Sequence, residues 1–98
     1  MKESGLLFEW DAEKNRRNFI KHGIRFETAA KVFRDKNRIE IYDELHSGTE
    51  DRYQTIGLVH DVLFVVYTER RNNIRIISAR PANRVERGLY YDRDLYSV

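Results

Sequence analysis

The chain has 98 residues, of which 35% are charged and 41% hydrophobic, with a formal net charge of +2 and no cysteine. This length allows one domain spanning 1–98 that buries about 60–65% of its unfolded surface, and it excludes a second. The lack of cysteine excludes a disulfide framework and a thiolate metal site. No apolar run approaches the roughly 18 residues of a membrane span or the form of a signal peptide, so a cytoplasmic protein without membrane contact is expected.

In chain order, Leu6, Leu7, Phe8, Glu9 and Trp10 read as a first strand. Asp11 is a good N-cap for a helix running to about His22, where Gly23 supplies a left-handed close. Only Ala12, Phe19 and Ile20 give that helix an apolar side, which predicts a surface position. Phe26, Ala29, Ala30 and Phe33 recur at helical spacing and predict a second, better buried helix over 26–34. The pattern then changes to period two with β-branched and aromatic residues, predicting strands near 38–43, 50–59, 62–69 and 74–80. Tight turns at His60-Asp61 and Arg71-Asn72-Asn73 make these strands antiparallel neighbours. The apolar run Val62 to Tyr67 suits a central strand covered on both faces. Pro81 suits the first position of a last helix, with Ala82, Val85 and Leu89 as its inward stripe. The expected fold is α+β, a small antiparallel sheet in β-α-α-β-β-β-β-α order packed with helices.

The charge is segregated along the chain. Residues 14–38 carry nine bases against two acids, 39–69 one against seven, and 70–98 seven against three. Basic surface is the electrostatic mark of a phosphate-bearing partner, although a charge run also serves simply as a solvated face. His22, His46 and His60 are scattered, with no metal-binding spacing, and no P-loop is present, so neither metal nor other cofactor is expected.

What stands out is arginine placement. A strand end facing a helix N-terminus suits a phosphate, and guanidinium binds phosphate bidentately with a permanent charge. Arg80 occupies that position, the alternative being an ion pair with Glu50 or Glu86. Arg70 at a strand end, and Arg52 beside Glu50 and Asp51, divide between the same two readings. Strict strand alternation puts Arg75 on the face opposite Arg80, as a structural residue. His22 serves either as a helix-end cation or as a general acid or base, and His46 has the same chemistry with a weaker case. Lys21, Arg84 and Tyr90 complete the candidate RNA contacts, the tyrosine reading equally as core.

The residues that carry a family resemblance are Phe8-Glu9-Trp10-Asp11, Asn18, Lys21-His22-Gly23-Ile24, Phe26-Glu27, Val32-Phe33 and Asp35, then Asp43, His46-Ser47, Glu50 and Arg52. They continue through Ile56-Gly57, Tyr67-Thr68-Glu69-Arg70, Ile74 to Arg80, Glu86-Arg87 and Tyr90. In these blocks the sequence resembles the BrnT family of toxins, with a RelE-like ribonuclease fold. The resemblance implies an endoribonuclease toxin that inhibits translation and growth, and whose partner is a ribbon-helix-helix, BrnA-like antitoxin. DNA would then be met only through that antitoxin. Metal-free attack by the ribose 2′-hydroxyl would use Arg80 and Arg70 as cations and His22 as the acid–base group, unless a ribosome positions the RNA and no strong base is needed. The rival is a non-catalytic RNA-binding module using the same arginines. Two departures stand out: Pro81 where relatives commonly have Lys or Arg, and Gly88 in place of a frequent Arg. Both lower the positive charge beside Arg80, and reduced potency is expected.

Overall fold

The period-two and helical segments fold, in a computed structural model that describes residues 1–92, as β1 (Lys2–Glu3), β2 (Leu6–Glu9), α1 (Ala12–His22), α2 (Phe26–Ala30), a 3-10 turn (Lys31–Arg34), β3 (Ile39–Tyr42), β4 (Arg52–Val59), β5 (Asp61–Arg70), β6 (Asn73–Pro81) and α3 (Arg84–Asp92). The six strands form one mixed sheet ordered β1-β2-β6-β5-β4-β3. The α+β class and the order of the main elements are as expected. Two features were not expected: β1 adds a short antiparallel hairpin ahead of β2, and β2 runs parallel to β6. Turn length governs only strands joined by a turn, and no turn joins β2 to β6.

Local signals place α1. Asp11 accepts from the N–H groups of Glu13 and Lys14, and Gly23, at φ 74°, closes the helix through its N–H to the Phe19 carbonyl. β2 pairs with β6 only over Asn73 to Arg75, because the chain turns away after Glu9. Further along, the Asn18 carboxamide takes the place of a strand: its Oδ1 accepts from the Ala79 N–H at 3.1 Å and its Nδ2 donates to the Ala79 carbonyl at 2.7 Å. Nδ2 also donates to the Ile24 carbonyl. One buried polar side chain thus satisfies an otherwise open sheet edge and ties α1 along it.

The main core lies on one face of the sheet, where Phe26, Ala29, Ala30, Val32 and Phe33 from α2 and the 3-10 turn pack on Leu63, Val65, Tyr67, Ile76 and Ala79. Among the described residues, the opposite face is covered at one end, by Tyr90 of α3 on Ile56 and Val62. Pro81 is the last residue of β6, opposite Leu63, and does not open the helix. The ladder continues to the Ala82 N–H, and Asn83 caps α3 in a reciprocal box with Glu86, each backbone N–H meeting the other side chain at 2.8 Å. The expected inward stripe points out, with Val85 72% and Leu89 46% exposed. Glu86 is held by Arg80 and Tyr90 by Asp35, so the 86/90 side faces the sheet.

Two tests follow from these contacts. Asn18→Ala leaves both Ala79 backbone groups unpaired and is expected to lower the unfolding free energy in urea by roughly 1–3 kcal/mol. The glycines of β4 and α3 should respond oppositely. A Cβ on Gly57 would lie 2.6 Å from Val32 Cγ1, so Gly57→Ala is expected to cost about 1–3 kcal/mol. A Cβ on helical Gly88 meets nothing closer than 3.9 Å, and Gly88→Ala is expected to raise stability by about 0.5–1 kcal/mol.

Candidate functional site

Strand register decides which side chains meet. In β5 and β6, Val66 stands opposite Ser78 but Tyr67 stands opposite Ile76, so Ile77 is an extra residue without a partner. A one-residue bulge inverts side-chain parity beyond it. Ile76 and Ala79 therefore both enter the core, and Arg75 and Arg80 share the other face. This corrects the expectation that they point oppositely. The segment Ile74-Arg75-Ile76-Ile77-Ser78-Ala79 carries the mark of the bulge, since its adjacent isoleucines break the alternation.

On that face Arg52, Thr68 and Arg75 are direct cross-strand neighbours on β4, β5 and β6. With Lys14 of α1, Arg70, and His46 and Glu50 of the β3–β4 loop they line an open recess of about 320 Å³. Arg70 holds Glu50 bidentately at 2.8 and 2.9 Å, and Arg75 reaches Glu9 at 3.4 Å. The Arg70 hydrogen bonds, aided by the charges of Arg75 and Arg52, hold the Glu50 carboxyl below its ordinary range. Among the described residues, Arg52 and Lys14 form no salt bridge. Thr68 is 3% exposed, and its Oγ1 lacks a hydrogen-bond partner among the described residues. The recess thus offers two unneutralised cations, two loosely held ones and an unsatisfied hydroxyl, a donor set matched to a phosphate.

The recess wall is built by the loop after β3. Asp43 is buried, and both its oxygens meet His46 Nδ1, at 3.0 and 3.1 Å. Ser47 Oγ donates to the Asp43 carbonyl and accepts from the Arg52 N–H, while the Asp43 N–H donates to the Arg52 carbonyl. Burial opposes the Asp43 charge, but the bonds from His46 and Gln54 prevail and hold its carboxyl below the ordinary value.

The other expected site residues are spread along the same face. A second hollow of about 220 Å³ runs beside α1, is lined by Lys21 and His22 with Arg17 and Ser78, and shares Lys14 and Ile77 with the recess. His22 is thus apart from Arg70. Arg80 lies opposite Phe64, four residues along β5 from Thr68, outside the recess. Its guanidinium is 4.1 Å from the Phe64 ring centroid and pairs with Glu86 at 2.7 and 2.9 Å. The Glu86 bond holds Arg80 above its ordinary range. Arg84 is exposed at the start of α3. Tyr90 is buried with its hydroxyl donating to Asp35, which leaves its ring unavailable for stacking. Lys14, Thr68 and Asp43 are recess residues to which sequence reasoning gave no role, while Arg75 was read as structural and His46 as the weaker histidine.

Comparison with known proteins adds one match. The model of a family described as ribonuclease toxin, BrnT, of type II toxin–antitoxin system matches residues 10–86. Among curated proteins, none matches the chain.

The Asp43–His46 pair has a pH signature. Because the folded Asp43 pKa lies below its ordinary 3.8, the bonds stabilise the fold fully above that value and are lost as pH falls through the lowered one. In urea titrations, the stability gap between wild type and Asp43→Asn is expected to be largest near neutrality and to shrink below 3.8. A gap that does not change with pH would contradict this.

Proposed function

Since the chain belongs to the BrnT family of ribonuclease toxins of type II toxin–antitoxin systems, with RNA as its target and an antitoxin as its partner, we propose that it cuts RNA in the Arg52–Thr68–Arg75 recess. The observation that carries this reading is that row of three side chains, in a recess also lined by Lys14 and Arg70, around a buried hydroxyl unsatisfied among the described residues. The scissile phosphate sits over Thr68, which donates to one oxygen, while Arg52 and Lys14 meet its charge directly. Arg70 exchanges Glu50 for phosphate. That exposed pair is weak enough to open, since water readily replaces either partner. The flanking phosphates follow α1 toward Lys21 and His22.

In this scheme the ribose 2′-oxygen attacks phosphorus and the bond to the 5′-oxygen breaks, giving a 2′,3′-cyclic phosphate and a 5′-hydroxyl without a metal. Cations fixed where charge grows on phosphate lower the barrier, and arginine contributes charge only, since it does not give up its proton. Cleavage of messages, on the ribosome or free, stops translation and growth. A ribbon-helix-helix antitoxin of the BrnA type neutralises the activity and supplies any contact with DNA. Arg80, locked to Glu86, anchors α3, and its pairing supports a structural role rather than one at the reacting phosphate.

The test is a DNA oligonucleotide carrying one ribonucleotide, incubated with purified protein. Cleavage only at that ribose, with cyclic phosphate and 5′-hydroxyl ends and no effect of EDTA, is expected. Arg52→Ala should slow cleavage roughly 10²-fold and reduce the salt dependence of binding by about one unit of slope. RNA that is bound but left whole, or loss of cleavage in EDTA, contradicts the scheme, and full activity of Arg52→Ala removes the recess from it.

A further inference from the structure

The scheme above leaves the 2′-hydroxyl proton without an acceptor, and the recess wall supplies one. A carboxylate can only accept, so contact of both Asp43 oxygens with His46 Nδ1 puts the imidazole proton on Nδ1 and leaves Nε2 as the basic nitrogen. The ring is 64% exposed and lines the recess, while the Asp43 carboxylate that holds it is 8% exposed. Among the described residues nothing bonds Nε2. The base is fixed at its root. The Asp43 backbone bonds Arg52 and Ser47 bridges the two, so the imidazole is coupled mechanically to the arginine that meets the phosphate. By contrast, His22 lies in the second hollow, away from Arg52 and Thr68.

Resting on the proposed cleavage in this recess, we propose that His46 is a catalytic residue whose Nε2 takes the 2′-hydroxyl proton, and that Asp43 is its positioning residue. As the 2′-oxygen forms its bond to phosphorus, its proton passes to Nε2. The electron pair of the breaking P–O bond leaves on the 5′-oxygen, which takes a proton from water, and the imidazolium returns its own to solvent. No net water is consumed in forming the cyclic phosphate. The charged groups facing the imidazole are Asp43 on its own loop, Lys14 from α1, Glu50 beside β4, and Arg52, Arg70 and Arg75 from the three central strands.

The experiment measures kcat and KM against pH for wild type, His46→Gln and Asp43→Asn on the single-ribonucleotide substrate, with binding of its 2′-O-methyl counterpart followed by anisotropy. In wild type, kcat is expected to rise with pH as the base becomes deprotonated. His46→Gln should lower kcat by roughly 10²–10⁴-fold, abolish that rise, and leave KM and 2′-O-methyl binding nearly unchanged. Asp43→Asn, which disturbs the tautomer while preserving shape, should lower kcat with little change in KM. His46→Gln that retains the wild-type rate, or the same acidic limb, overturns the assignment while leaving the cleavage reading intact. Wild-type protein that leaves the oligonucleotide whole overturns both.

Discussion

Ile77 has no partner across β5, and on this one unpaired residue the rest of the working face depends. With strict alternation Arg75 and Ala79 would share a face, so that either Arg75 would enter the core or Ala79 would leave it. The bulge instead lets Ile74, Ile76 and Ala79 all pack inward while Arg75, Ser78 and Arg80 face the other way. It also places Ile77 between the recess and the hollow beside α1, making one continuous surface of the two. Bulges commonly re-aim side chains beside functional sites, and here the re-aimed group is the arginine that completes the cross-strand row.

Within that surface the cations differ in how firmly they are held. Arg80 is bound to Glu86, a carboxylate only 12% exposed that also accepts from the Asn83 N–H, so releasing Arg80 would leave a largely buried charge without its cation. Burial opposes the Glu86 charge, yet Arg80 and the Asn83 N–H hold it ionised below the ordinary range. Arg70 and Glu50 are each nearly half exposed, and Arg52 and Lys14 form no salt bridge among the described residues. The cations thus grade from unpaired ones in the recess among the described residues, through an exposed exchangeable pair, to a locked one outside it. This gradient follows from burial, because desolvation makes a pair costly to break whereas water replaces an exposed partner readily.

Among the described residues, α3 covers one end of the recess face. Asp35 holds the helix there, accepting from the Leu58 and Asn37 N–H groups and from the Tyr90 hydroxyl, and so joins the 3-10 turn, β4 and α3. Gly57 allows the close approach, since a methyl at that position would strike Val32. With α3 fixed over Ile56 and Val62, the strand ends bearing Arg52, Thr68 and Arg70 stay uncovered by the described residues.

Much of this was legible in the sequence. The helix over Ala12–His22 follows from Asp11 and Gly23, the apolar face of α2 from its spacing, and four of the strands from period two and their turns. These are local patterns, carried by residues within a few positions of one another. The resemblance also pointed to the right family from ordered blocks along the chain. What sequence alone misassigned was non-local. The parity of β6 depends on a pairing with β5, the outward turn of Val85 and Leu89 on what Glu86 and Tyr90 meet across the sheet, and the parallel edge on where β2 lands. Arg75, Thr68 and Lys14 have no shared signature in sequence because they come from separate elements. The sequence by itself determined the elements and the family; tertiary structure decided which charges meet, because strand register and long-range ion pairs are set only when distant segments pack together.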